Sequence, residues 1–124
     1  MSTGYVLDVT VGKEHWMTSN QRKHWSHRAL SSKALRRRGV LLARANRLPA
    51  LARVSIEAVV STPTNTRFDA ANSYPTIKPL IDSLVSAGVL EDASDKYLTA
   101  LTIKRGVKTG IAGKYRVVLN IYPE

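Results

Sequence analysis

The chain has 124 residues, of which 44% are hydrophobic, so its size suits one domain over residues 1–124 with a single core. It has no cysteine, which excludes disulfide frameworks and thiolate metal sites, and its formal net charge is +10. No apolar run approaches the roughly 20 residues that span a bilayer, and the N-terminus lacks the pattern of a signal peptide. We therefore expect a cytoplasmic protein with no membrane partner.

The first half of the chain has the pattern of a strand, a long helix and a second strand. Alternating apolar residues predict strands over residues 4–11 and 54–60, and a helical pattern runs between them from about residue 22 to residue 47. Gly39 lies within this helix and lowers its stability by about 1 kcal/mol relative to alanine, so a break at Gly39 stays an open alternative. The apolar residues of the helix fall on one arc, which we expect to face the core: Leu30, Ala34, Leu41, Ala45 and Leu48.

The second half has the pattern of a helix followed by two strands. A core-facing stripe marks the helix: Ile77, Leu80, Ile81, Leu84 and Val85. Pro75 and Pro79 predict a loose or kinked first turn, and Ala87-Gly88 predicts the end. Alternating runs over residues 97–103 and 115–121, joined by a glycine-rich segment, predict a hairpin. The order β-α-β-α-β-β indicates the α/β class (mixed α+β), with the helices packed on one mixed sheet.

Basic residues are concentrated in the first helix. No acidic residue lies between Glu14 and Glu57, and several cations of this span form a candidate DNA-binding surface: Arg22, Lys23, Lys33, Arg36, Arg37, Arg44 and Arg47. A short run of charged residues often only keeps a helix surface solvated. In a run this long, the like charges repel one another unless phosphates neutralise them. We therefore favour contact with a nucleic acid.

Aromatic and histidine side chains lie beside this basic run: Trp16, His24, Trp25 and His27. They would suit stacking on bases, although a tryptophan at the start of a helix more often packs in the core or against the first turn. The sequence assigns them no chemistry.

Acidic residues are concentrated in residues 67–95, which hold five of the nine: Asp69, Asp82, Glu91, Asp92 and Asp95. Carboxylates are the ligands that Mg²⁺ uses beside a scissile phosphate. Each group also has a plain structural role open to it. Lys78 and Asp82 would pair on a helix surface, Asp69 would cap a turn ahead of Asn72, and the Glu91–Asp92 pair would be a solvated turn.

The motif formed by these residues resembles that of the RusA-type Holliday junction resolvases, including phage and prophage relatives. It consists of RFDAAN, then Lys78 and Asp82, then AGVLED, and SNQRKHW upstream is also similar. The resemblance runs from about Ser19 to the last strand.

This resemblance implies a homodimeric, magnesium-dependent endonuclease that nicks four-way DNA junctions in recombination and repair, in a bacterial or phage-infected cell. Mn²⁺ would substitute for Mg²⁺, and no small-molecule cofactor is expected. Asp69, Asp92 and Lys78 would be catalytic. The metal ligands would be Asp69 and Asp92, with Asp82 and Glu91 as further candidates, and Asn72, Arg67 and Asp95 would support the site.

The chain departs from the family pattern at three places. Ala71 stands where many relatives have a second aspartate, Glu91-Asp92 replaces a pair of aspartates, and three extra residues separate Asn72 from Lys78. Two alternatives to a junction endonuclease therefore stay open: a junction- or DNA-binding protein with weakened catalysis, and a basic RNA-binding protein.

Overall fold

Four strands and two helices form the part of the chain that the computed structural model describes, residues 4–21 and 24–124. The predicted order β-α-β-α-β-β is confirmed. The elements are β1 (Tyr5–Gly12), α1 (Trp25–Ala45), β2 (Val54–Ser61), a 3-10 turn (Ala70–Ser73), α2 (Tyr74–Ser86), β3 (Leu98–Arg105) and β4 (Lys114–Pro123).

The strands form one mixed sheet in the order β1-β4-β2-β3. β4 is antiparallel to both β1 and β2, whereas β3 is parallel to β2. The predicted hairpin between the last two strands is therefore wrong, because β2 lies between them. Alternation identifies a strand but not its partner, and the crossover through α2 places β3 beside β2. The segment after β3 then carries the chain past the end of β2, where Gly106 N donates to Val60 O (2.8 Å).

One face of the sheet packs into the core and the other carries polar pairs. The register aligns buried residues of three strands: Leu7, Val9, Ile56, Ala58, Val60, Val117, Leu119 and Ile121. On the opposite face, Arg116 holds Asp8 with two hydrogen bonds (2.9 and 2.5 Å), and Glu57 pairs with Lys104 (3.3 Å). The two helices and the buried strand residues share one hydrophobic cluster, so both helices lie on the first face.

α1 packs against α2 through small residues, not through the arc that its sequence pattern predicts. The buried side of α1 is formed by Ser31, Leu35, Gly39 and Ala43. Leu30 and Leu41 are 69% and 60% exposed and Ala45 is exposed, so the predicted core face is wrong for these three residues, whereas Leu48 packs half-buried against the core. The reason is close contact between the helices. A Cβ on Gly39 would lie 2.6 Å from Ser83 Cβ and still closer to Ser83 Oγ. Gly39 does not break α1, which is continuous from Trp25 to Ala45.

The helices run side by side in the same direction. Near their first turns, Ser19 N donates to Asn72 O (2.8 Å) and Met17 N donates to Thr76 Oγ1 (2.8 Å). After their last turns, Leu51 N donates to Val89 O (2.8 Å). In α2 the predicted stripe is confirmed for Ile77, Leu80, Ile81 and Leu84, which are buried, while Val85 packs against the core half-buried.

α2 is helical from Tyr74 onwards, through Pro75 and Pro79, and the irregular part of this region is the 3-10 turn before it. Pro75 lies in the first turn, where its missing N–H is not needed. The helix ends as predicted at Ala87-Gly88, with Gly88 at a φ of 80°. Neither helix of the described ranges is long and apolar enough to cross a membrane.

Candidate nucleic-acid interface and acidic site

The outer face of α1 is the group of exposed cations Lys33, Arg36, Arg37 and Arg44. At 3.6 residues per turn they fall within an arc of about 100°, which lies next to the arc of the buried residues. The ion pairs within residues 4–21 and 24–124 join Lys78 to Asp82, Lys104 to Glu57 and Arg116 to Asp8. The outer face therefore has no carboxylate partner in the described part of the chain.

Arg47 extends this surface just beyond the end of α1, in an unusual backbone conformation. Its φ is 54°, the left-handed region that glycine normally occupies at this position. Arg47 N donates to Arg44 O and Leu48 N donates to Ala43 O, both at 3.0 Å, which closes the helix in a Schellman motif. α2 ends in the same motif with Gly88 in the equivalent place, where Val89 N donates to Leu84 O (2.9 Å). An arginine is thus held where a glycine would be less strained.

The remaining cations of the first helical region differ in role. Arg28 donates to Thr18 O (3.0 Å) and Gln21 O (2.7 Å), so it fixes the segment before α1 and is not a free cation. Arg22 and Lys23, which the sequence places on the DNA-binding surface, lie outside the described residues.

Arg105 organises the loop that leads from β2 to the 3-10 turn. It donates to Thr66 O (2.7 Å), Thr62 Oγ1 (2.9 Å) and Thr64 O (3.0 Å), and its guanidinium lies 5.7 Å from the ring centre of Phe68. The parallel pairing of β2 and β3 sets Arg105 opposite Val60, where β2 ends. Sequence reasoning missed this residue because it paired β3 with β4.

Asp69 and Arg67 follow this loop and are both exposed. Asp69 Oδ1 accepts from Ala71 N (3.1 Å), and Asp69 O accepts from Asn72 N (3.0 Å), so Asp69 caps the 3-10 turn. Asn72 is half-buried, and its backbone carbonyl joins this segment to Ser19. The turn-capping role that the sequence offered for Asp69 is confirmed. The cap uses Oδ1 of the Asp69 carboxylate and not Oδ2.

Lys78 and Asp82 form an ion pair on the partly exposed flank of α2. Lys78 Nζ lies 2.7 Å from Asp82 Oδ1, one helical turn away. The hydrogen bond to Asp82 raises the pKa of Lys78 above its ordinary value, burial opposes the rise, and the charges of Asp82, Tyr74 and Asp92 add to it. Lys78 is therefore a cation at neutral pH, paired with the carboxylate of Asp82.

The acidic residues after α2 lie on the surface. Asp92 Oδ1 accepts from Ala93 N (2.8 Å), and Glu91, Asp92 and Asp95 are all exposed. Glu91 lines a shallow depression together with Arg53 and Lys96. This segment is therefore the solvated turn that the sequence offered as the structural role of Glu91 and Asp92.

The predicted metal ligands are divided between the two ends of α2. Asp69 precedes the helix and Asp92 follows it, and 13 helical residues with a rise of about 1.5 Å each separate the ends by about 20 Å. Among residues 4–21 and 24–124, no three histidine or carboxylate side chains are grouped as a metal site. The structure thus pairs Lys78 with Asp82, and it places Asp69 and Asp92 at opposite ends of α2.

The two tryptophans have opposite environments. Trp16 is 4% exposed and stacks on Tyr115 at a ring-centre distance of 4.3 Å, with Phe68 at 6.0 Å. Trp25, the first residue of α1, is 75% exposed. Trp16 is thus a core residue, whereas Trp25 is neither in the core nor packed on its own helix. No protein-family model and no curated protein matches the chain.

Proposed function

We propose that the chain is a structure-selective endodeoxyribonuclease of the RusA type, which binds branched DNA and hydrolyses phosphodiesters with Mg²⁺. The observation that carries the proposal is the outer face of α1. Four exposed cations share one arc of a helix, and none of them forms an ion pair with a carboxylate of the described chain. Phosphates spaced along a nucleic acid backbone are suited to neutralise such a row, with release of the bound counterions.

Arg47 supports the same proposal from a separate observation. Its left-handed backbone favours glycine, so an arginine there lowers the stability of the helix end. A cation that contacts DNA explains why this position holds an arginine, since the side chain continues the outer face of α1 toward the end of the helix.

The proposed cleavage residues are Lys78, Asp82 and Asp92. Mg²⁺ takes oxygen ligands, is usually held by one or two carboxylates and keeps several waters, so the exposed Asp92 and the half-exposed Asp82 fit it chemically. When bound, the ion would neutralise charge on the phosphate and lower the pKa of a water. Lys78 would hold a phosphate oxygen through its protonated Nζ, and the turn at Ala93 fixes the Asp92 carboxylate.

We propose that the chain acts as a homodimer, because a two-fold dimer presents two equivalent sites to two opposed strands of a four-way junction. The resemblance implies this state. Paired nicks on opposed strands would be its direct consequence.

A second function, junction binding without cleavage, is favoured by the position of Asp69. This residue lies at the far end of α2 from Asp92, and Ala71 supplies no carboxylate in its place. Such a protein would bind the same DNA with the same dependence on salt. It would leave the strands intact in both Mg²⁺ and Mn²⁺.

A comparison of substrates separates these functions. A synthetic four-way junction, a linear duplex of equal length and a structured RNA would be titrated at one salt concentration, with and without Mg²⁺. The nuclease binds the junction most tightly and cuts it only with metal, and the binding protein shows the same preference without cutting. Tighter binding to the RNA than to the junction would overturn both proposals in favour of an RNA-binding protein.

A further inference from the structure

Trp25 is the most exposed tryptophan or tyrosine of the described chain. It is 75% exposed, while Tyr74 and Tyr122 are 42% and 40% exposed. Its nearest aromatic neighbour is His24 at a ring-centre distance of 5.5 Å. A tryptophan has a large apolar surface whose removal from water is favourable, so an exposed indole beside a basic surface is available for contact with another molecule.

The position of Trp25 links it to the basic surface. It precedes Lys33 by eight residues and Arg36 by eleven, which places it about 12 and 17 Å from them along the helix axis. On the helical wheel it lies about 20° from Arg36 and about 80° from Lys33. Trp25 therefore borders the outer face of α1 on the side of Arg36, near the start of the helix and in line with the buried Ala43. Leu30 and Leu41 lie farther round, beside a depression against β1 that Thr10 and Val11 also line.

We propose that Trp25 stacks on an unpaired nucleobase while the outer face of α1 holds the phosphates of the same strand. This inference rests on the proposed DNA-binding function and adds the kind of DNA that is recognised. A nucleobase presents a flat π face to an indole, and every base has one, so the contact would be tolerant of sequence. In a linear duplex both faces of an interior base are already stacked. Trp25 would therefore favour DNA with an unpaired or unstacked base, as at a strand exchange point or in a single strand.

The role of His24 is consistent with a fixed start for this helix. His24 Nδ1 accepts from Ser26 N (3.2 Å) and lies 2.6 Å from Ser26 Oγ, so the imidazole caps α1 one residue before Trp25. The cap orders the backbone from which the indole projects, which reduces the conformational entropy that stacking would cost.

The test compares Trp25→Ala with two control variants of the full chain on three DNAs. Affinities for an oligo-dT single strand, a four-way junction with unpaired thymines at the exchange point and a linear duplex would be measured at one salt concentration without metal. Trp25→Ala should weaken binding to the first two about tenfold and leave duplex binding within about twofold, because stacking contributes about 1–3 kcal/mol per base. Leu41→Ala, a similarly exposed apolar change on α1, should alter none of the three. Lys33→Ala should weaken all three alike.

Fluorescence gives an independent readout. The chain has two tryptophans and Trp16 is buried, so the difference between the parent protein and Trp25→Phe reports on Trp25. Oligo-dT should quench that difference signal and the duplex should not. Equal loss of affinity on all three DNAs for Trp25→Ala, or no quenching by oligo-dT, would overturn the inference. If such a protein still cuts junctions, the proposed nuclease stands and only the stacking is wrong. If oligo-dT quenches the signal but the protein does not cut junctions, the stacking stands and the proposed nuclease is wrong.

Discussion

Arg47 is the residue at which we expect fold stability and DNA binding to favour different side chains. In an ordinary residue the left-handed conformation costs about 1–2 kcal/mol, and glycine adopts it freely. We predict that Arg47→Gly raises the free energy of unfolding by about 1 kcal/mol and raises the melting temperature. The same change should weaken DNA binding, since it removes a cation from the protein surface. Chemical denaturation and a binding titration on one preparation would test both parts.

Arg44→Ala is the matched control, because it removes a neighbouring exposed cation from regular helix. It should weaken DNA binding to a similar extent without stabilising the fold. If Arg47→Gly stabilises the protein and binds DNA as tightly as the parent, Arg47 has no part in the interface.

At the same scale, the sequence predicted the structural roles of three site residues correctly. It named the plain roles that Asp69, Lys78 and Asp82 turn out to have, a cap and an ion pair. It did not predict that Asp69 lies apart from Asp92, since spacing along a chain does not determine distance across a helix. Arg105 was not identified because its contacts depend on which strands are neighbours.

At the scale of elements, the contact between α1 and α2 depends on Gly39. An alanine at an exposed helical site would stabilise the helix by about 1 kcal/mol relative to glycine. At Gly39 its Cβ would lie 2.6 Å from Ser83 Cβ, so we predict that Gly39→Ala instead destabilises the fold by about 1–3 kcal/mol. Thermal unfolding would give the sign.

Ser83→Gly provides the rescue, because it removes both atoms that the new methyl group meets. The double variant Gly39→Ala with Ser83→Gly should be more stable than the sum of the two single changes implies. Additive effects would mean that the helices do not meet at these residues.

The errors of sequence reasoning about elements have one physical cause. All four strands and both helices were predicted, because alternation and helical periodicity are local signals. The core face of α1 was not, since the pattern treats Leu30 and Leu41 as buried and cannot show that a small residue such as Gly39 permits close packing. The false hairpin has the same origin: pairing is a property of the sheet, and β2 lies between β3 and β4.

At the scale of the whole molecule, the net charge of +10 is unevenly placed. Cations of α1 face away from the core, while the opposite face of the sheet carries matched pairs such as Lys104 with Glu57. We predict that the logarithm of the DNA affinity falls linearly with the logarithm of the salt concentration. Replacing Lys33, Arg36 or Arg37 by alanine should each reduce the slope by about one.

Lys104→Ala is the control for this prediction. It removes one positive charge, as the α1 variants do, but from a paired residue on the far face of the sheet. An unchanged slope would assign the effect to the outer face of α1. An equal reduction would mean that net charge alone, and not this face, governs binding.

We propose that Asp82 and Asp92, with Lys78, cut the DNA that the outer face of α1 binds. The most direct measurement is nicking of an end-labelled four-way junction in Mg²⁺ by the parent protein and by Asp92→Asn, with the affinity of each measured without metal. We predict symmetric nicks on opposed strands for the parent protein, none for Asp92→Asn, and equal binding by both. Cutting by Asp92→Asn at the parent rate would contradict it.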